Sequence, residues 1–238
     1  MIDQLRLHAR AFKYRRKLDP GPIAALLRTV RPGDRCLDLG AHKGAYTHWL
    51  AKATGPRGRV VALEPQPDLA DRLQKVMSGR PWVRVRWAGV SDTTGMGRLD
   101  IRGAGASHGA SLTGLEGDVA RTIDVPTITI ADVMAEERLS GVDFVKIDVE
   151  GHELATLGAA EAVLREHRPT VLCECEARHH GGDADSVEEL RRLFEPMGYR
   201  VTFFVGRELR PVDEFDASVH QNYGVGAYCN NFWLEPSG

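Results

Sequence analysis

No run of this sequence is both long and apolar enough to cross a bilayer, and its first residues carry no apolar core of a secretory signal. The expectation is therefore a cytoplasmic protein. Cysteine is scarce, with four in 238 residues. Cys36, Cys173 and Cys175 fall in expected core strands, and Cys229 lies near a C-terminal one. Cys173 and Cys175 stand on the same face of one strand, a poor geometry for a mutual bridge, so four buried thiols in a reducing compartment are expected. The C-x-x-C spacing of common zinc sites is missing. Charge of one sign is missing too: 31 Lys and Arg face 33 Asp and Glu, a formal net charge of -2. No global basic field advertises nucleic acid, and no N-P-P-[YF] block for stacking an amino-bearing base is present. Internal repeats and low-complexity tracts are also absent.

Charge is present locally. "RLHARAFKYRRKL" (Arg6 to Leu18) is strongly basic and moderately amphipathic. Residues 1–32 read as a basic helical segment ahead of a domain spanning 33–238. The segment is expected to be a solvated helix packed on the domain or on the partner in a homodimer. Weak contact with an anionic membrane surface is the second reading, set lower because the apolar face is short and broken by Tyr14 and arginines. "DPGPIAALLRTVRPGD" then gives a turn, a short helix from Ile23 and a Pro-Gly stop.

From Arg35 onward strands and helices alternate. "RCLDLG", "RVVALEP" and "WVRVRW" read as strands around the helices "AYTHWLAKAT" and "PDLADRLQKVMSG". Between Ala88 and Val125 the rhythm breaks into a Gly-, Ser- and Thr-rich insertion with two short strands, "GRLDI" and "RTIDV". The alternation resumes with "IADVMAEERL", "DFVKID", "ELATLGAAEAVLREH", "TVLCECE", "SVEELRRLFEPMG" and "YRVTFFV", and "NNFWLEP" is a last strand. Such alternation implies an α/β, doubly wound sheet with right-handed crossovers and ligands at the carboxyl ends of its strands.

"LDLGAHKGAY" (Leu37 to Tyr46) closes the first strand in a D-x-G-x-x-x-G pattern. A pyrophosphate needs close backbone approach, usually granted by a second glycine where His42 stands here. Asp38 would also repel phosphates. The same carboxylate suits a ligand with an ammonium and a sulfonium, S-adenosylmethionine. About twenty residues on, Glu64 ends the second strand, where an acid accepts both ribose hydroxyls. NAD uses such an acid too, so an NAD-dependent oxidoreductase stays as an alternative that the loop disfavours. Asp38, Gly40, His42, Gly44, Tyr46, Glu64 and Pro65 are the candidate cofactor residues. After the third strand, Ser91 and Asp92 of "GVSDTTG" suit the adenine edge, or a plain Asx turn.

"CLDLGAHKGAYTHWLA", "VVALEPQPDLADRL", "GVSDTTG", "ASLTG" and "VDFVKIDVEGHELATLGAA" occur in this order, and together the chain resembles the FkbM family of S-adenosylmethionine-dependent methyltransferases. The resemblance covers roughly residues 33 to 235, and "KIDVEGHE" is its most specific part. It implies a Rossmann-like, mostly parallel seven-stranded sheet of the class I methyltransferase type with a small inserted β-rich segment. It also implies O-methyl transfer to a hydroxyl of a sugar, glycolipid, polysaccharide or natural product. A non-catalytic S-adenosylmethionine-binding module is the remaining alternative.

Within "KIDVEGHE", Asp148 is expected at the strand's carboxyl end beside the cofactor, and it counts as both a cofactor and a catalytic residue. Glu150 and Gly151 turn the chain, and His152 opens the next helix as the expected general base. Glu153 is expected to complement the helix dipole or to bind across the turn. "TVLCECEA" puts Glu174 and Glu176 on one strand face, where a buried acid requires a partner. Pairing with Arg178, His179 or a helix lysine is preferred. Mg²⁺ held by Asp148, Glu174 and Glu176 is the less favoured alternative, because such sites have no diagnostic spacing. "SHGASLTG" reads as a loop over the mouth, with His108 a second base candidate, and His179 a third. "RHHGGDAD" reads as a solvated loop ahead of a Ser186 helix cap rather than a metal site of His179, His180, Asp183 and Asp185.

Overall fold

The computed structural model describes residues 2–102, 110–112, 119–176, 186–226 and 228–237. The expected loops holding His108, Arg178, His179, His180, Asp183 and Asp185 therefore lie outside the described residues. The chain opens with α1 (Ile2–Lys13), a π-helical turn at Tyr14–Leu18 and α2 (Pro20–Thr29). The helix starts at Pro20 rather than Ile23, because proline fits the first helical position, where its missing N–H costs nothing.

There follow β1 (Arg35–Leu39), α3 (Ala45–Thr54), β2 (Arg59–Glu64), α4 (Pro67–Met77) and β3 (Val83–Trp87). The insertion comprises β4 (Gly89–Val90), β5 (Gly95–Arg102), β6 (Ala110–Ser111) and β7 (Val119–Ile128). Beyond it lie α5 (Ile130–Glu136), β8 (Phe144–Ile147), α6 (Glu153–Ala159), α7 (Glu161–His167), β9 (Thr170–Glu174) and α8 (Ser186–Phe194). The chain closes with β10 (Tyr199–Val205), β11 (Glu208–Pro211), α9 (Ala217–His220) and β12 (Asn231–Pro236).

The main sheet runs β11-β10-β12-β9-β8-β1-β2-β3. β1, β2, β3, β8 and β9 are mutually parallel, and β12 is inserted antiparallel between β9 and β10. These are the seven strands of the expected Rossmann-like sheet; β11 adds an eighth as a hairpin partner of β10. β4, β5, β6 and β7 form the expected separate small sheet. The chain moves outward from β1 through β2 to β3, then returns to β8 on the other side of β1. A crevice opens at that switch, above the carboxyl ends of β1 and β8.

Strand alternation divides the core between two layers. Leu37 and Leu39 of β1 join Val145, Ile147, Val171 and Leu157 on one side of the sheet. Cys36 joins Ile23, Leu26, Trp49, Phe144 and Trp233 on the other. All four cysteines are buried and unbridged. On the second side α1 packs through Leu7 and Ala11, and the Trp49 indole N–H donates to the Ala11 carbonyl at 3.0 Å. The basic segment thereby becomes a wall of the crevice. The helix expected over 153–167 divides at Ala160, whose backbone (φ -93, ψ 9) ends α6 and starts α7. No helix among the described residues is long and apolar enough to cross a membrane.

Candidate active site

The β1–α3 loop can turn as it does because of three positive φ angles: 77° at Gly40, 48° at His42 and 78° at Gly44. Gly40 and Ala41 donate their N–H groups to the Leu63 carbonyl at 3.0 and 2.9 Å, fastening the loop to β2. A Cβ on Gly40 would lie 1.8 Å from the Asp148 carbonyl oxygen, so only glycine lets the loop pass the end of β8. His42 turns its N–H onto Glu64 Oε2 at 2.6 Å, and Gln66 donates to Glu64 Oε1 at 2.9 Å. Glu64 is 3% exposed, and burial pushes its carboxyl up to about 7 against those two hydrogen bonds. Its remaining lone pairs face a cleft of about 290 Å³.

One part of the cleft wall is apolar. Pro65, Gly89, Val90 and Leu112 line it, with Gly89 drawn against Leu112 and Pro65. The other part is polar and centres on Lys146. Its ammonium donates to the Gly40 carbonyl at 3.0 Å and to Asp148 Oδ2 at 3.3 Å, and sits 5.3 Å from the Tyr46 ring centroid. Burial alone would lower its pKa, but Asp148, Asp38 and Glu174 together outweigh burial and hold it above the ordinary value. Tyr46 in turn donates its hydroxyl to Asp19 at 3.1 Å. Burial pushes the Asp19 carboxyl up to about 6.

The expected site residues separate into those on the cleft wall and those behind it. Gly40, His42, Tyr46, Glu64, Pro65, Asp148 and Glu150 line the cleft. Gly44 supports the loop from behind, closely packed on Leu73. Asp38, expected as a direct ligand, is not on the cleft wall. It projects toward α3, fully buried, accepts from the Thr47 hydroxyl at 2.5 Å and lies 4.0 Å from Lys146. Burial raises its pKa, with Lys146 and Thr47 opposing.

His152, the expected base, is likewise off the cleft wall. Glu150 (φ 54°) and Gly151 (φ 101°) swing the chain so that His152 faces β4 instead of the cleft. Its Nε2 lies 2.9 Å from Ser91 Oγ and 3.6 Å from Asp92 Oδ1, and Ser91 donates to Asp92 at 2.9 Å. None of the three lines the cleft, so Ser91 and Asp92 hold a histidine where an adenine edge was expected. Glu153 accepts from Val149 N at 2.8 Å and Gly151 N at 3.1 Å, closing the same turn.

The paired acids at the end of β9 find partners the sequence did not suggest. Asn230 donates to Glu174 Oε1 at 2.6 Å and to Glu176 Oε1 at 2.9 Å, while the Tyr228 hydroxyl donates to Glu176 Oε2 at 2.7 Å. Of the partners expected for these acids, Arg178 and His179 lie outside the described residues. Burial, then Asp148, push the Glu174 carboxyl well above its usual range. Among the described residues no three His, Cys, Asp or Glu side chains converge as a metal-holding group, and the Asp148, Glu174 and Glu176 set is not brought together as one.

Sequence reasoning missed Arg10, Tyr14, Asp19 and Lys146, which all line the cleft. Lys146 had a signal: a lysine inside a buried strand next to "ID" requires an acid partner. The other three come from the N-terminal segment, and no local pattern places them opposite β8.

The sequence profile of the FkbM methyltransferase domain matches residues 38–201. The chain belongs to the FkbM methyltransferase family. An FkbM methyltransferase from Methylobacillus flagellatus is 16% identical with a TM-score of 0.54, over 98% of this chain and 54% of that one. The chain thus spans about half of that relative. An O-methyltransferase from Bacillus cereus in complex with SAH is 17% identical with a TM-score of 0.51, covering 98% of this chain and 90% of that one. Both share the fold. A catechol O-methyltransferase from Mycobacterium tuberculosis is 38% identical over 72 residues, 30% of this chain and 29% of that one.

The residues present fit the cofactor that FkbM membership implies, S-adenosylmethionine. Glu64, a buried carboxyl facing the cleft, would hold the ribose hydroxyls. The apolar wall of Pro65, Gly89, Val90 and Leu112 suits a nucleobase, and the acids around Lys146 suit the cationic methionine end.

Proposed function

We propose that the protein is an S-adenosylmethionine-dependent O-methyltransferase acting on a hydroxyl of a sugar, glycolipid, polysaccharide or natural product. The observation that carries this reading is the acidic floor of the cleft: Asp19, Asp148 and Glu174 gathered around Lys146 and Tyr46, next to the Glu64 loop. When bound, the cofactor supplies a methyl group already activated on sulfonium. The protein then has to orient the acceptor oxygen and remove its proton. Asp148, fixed by Lys146, is placed to orient the hydroxyl. Asp19 takes the proton. A carboxyl pushed up to about 6 by burial is ionised at neutral pH yet more basic than a solvated carboxylate.

The short stretch shared with a catechol O-methyltransferase supports an oxygen acceptor. A pyrophosphate-binding alternative lacks support, because His42 spends its loop N–H on Glu64. The test is a panel of sugars, glycolipids, polyhydroxylated natural products and amines incubated with labelled cofactor. Methyl ethers from hydroxyl acceptors are expected; N-methyl products alone would overturn the reading.

A further inference from the structure

α1 has two apolar faces and buries only one. Leu7 and Ala11, four residues apart, pack on the domain. Ile2, Leu5 and Phe12 recur on the opposite face and are 65%, 62% and 42% exposed. Arg6, Lys13, Arg15, Arg16 and Lys17 are exposed on the same segment. The one acid in α1 and the π-helical turn, Asp3, is engaged with Arg6 at 3.6 Å.

Beside this stripe lies a hollow of about 340 Å³ lined by Phe12, Arg15, Arg16, Pro20, Ala24 and Arg207. Gly21 makes it possible. A Cβ there would meet the Gly206 carbonyl at 2.4 Å and Arg207 Cα at 3.1 Å, so the β10–β11 turn can close on α2 only over glycine. That approach brings Arg207 to the two arginines of the π-helical turn. None of the three has an ion pair among the described residues; Arg15 instead stands over Trp49 at 5.0 Å. Guanidinium groups without carboxylates, next to exposed Ile, Leu and Phe, match phosphate head groups with acyl chains beneath them. A second copy of this face would set basic surface against basic surface, which opposes a two-fold dimer here.

We propose that the solvent face of α1 and the Arg15, Arg16 and Arg207 hollow dock on the phosphate head groups of an anionic lipid surface. Arg10 and Tyr14 of the same segment line the cleft, so docking brings the cleft mouth to the head-group layer, within reach of a lipid-linked acceptor. That last consequence rests on the methyltransferase reading; the docking itself does not.

The test is flotation of the full chain with vesicles of phosphatidylcholine alone and of phosphatidylcholine mixed with phosphatidylglycerol. The mixed vesicles should bind about tenfold or more tightly, and salt should weaken that binding. Ile2→Asp with Leu5→Asp, and separately Arg16→Glu with Arg207→Glu, should each lower it by about tenfold or more. Both pairs should keep S-adenosylhomocysteine affinity, which shows an intact fold. No binding to mixed vesicles, or binding indifferent to both pairs, overturns the proposal. So does displacement by glycerol phosphate at low concentration, which would make the hollow a soluble-anion site. A dimer that Ile2→Asp with Leu5→Asp dissolves, without vesicle binding, assigns the stripe to a second copy and overturns it too. Vesicle binding without methyl transfer to any acceptor would count against the methyltransferase reading alone.

Discussion

At the residue scale, the cleft chemistry turns on which acids are buried and which are paired. Asp148 and Lys146 form an ion pair at 3.3 Å, whereas at Asp19 burial outweighs the Tyr46 hydroxyl and the charge of Lys146. The account predicts that turnover rises with pH through about 6, because Asp19 must be ionised to accept a proton. Asp19→Asn should remove that inflection, and Asp148→Asn should lower kcat by about 10²-fold and weaken cofactor binding as well. His152→Gln should do neither, since its imidazole is bonded to Ser91 outside the cleft. A pH–rate profile of the three variants checks this, and a His152→Gln variant that alone loses the inflection would restore the histidine as base.

The sequence made "KIDVEGHE" legible as a strand ending in a charged turn, with Glu153 either complementing the helix dipole or binding across the turn. What it hid was direction. A left-handed Glu150 followed by Gly151 rotates His152 by an amount no spacing rule expresses. The surroundings of Asp38 were hidden for a similar reason. Its position at the end of β1 was readable, but Thr47 and Lys146 claim its carboxylate from separate elements.

At the scale of elements, the strands of the main sheet other than β11 came where apolar alternation and β-branched residues put them. β10 occupies Tyr199–Val205, the span of "YRVTFFV", and α3 that of "AYTHWLAKAT". β11 and α9 escaped notice because each is four residues long, too short for a period to show. The most constrained element is the β1–α3 loop. Gly40→Ala would impose a left-handed alanine, costing about 1–3 kcal/mol, and a clash with the β8 carbonyl besides. Thermal unfolding should show a clear loss of stability. Calorimetry should show S-adenosylhomocysteine affinity falling by about tenfold or more, equal to about 1.4 kcal/mol. Unchanged affinity would mean that the loop does not hold the cofactor.

At the scale of the whole molecule, the strand order creates the crevice and the N-terminal helices wall it. The alternation of strands and helices was enough to place a site at the carboxyl ends of β1, β2 and β8. It could not show that residues 10 to 19 fold back over that site. This depends on Trp49 and the Ala11 carbonyl, 38 residues apart in sequence. The partners of Glu174 and Glu176 were hidden likewise, because Asn230 reaches them only once β12 has inserted between β9 and β10.

The central claim is that this crevice is an S-adenosylmethionine site organised by Glu64. Titration calorimetry of the full chain with S-adenosylhomocysteine and with NAD, repeated for Glu64→Ala, tests it most directly. The account predicts S-adenosylhomocysteine binding that Glu64→Ala weakens by about tenfold or more, and no binding of NAD. NAD binding with no response to S-adenosylhomocysteine would contradict it.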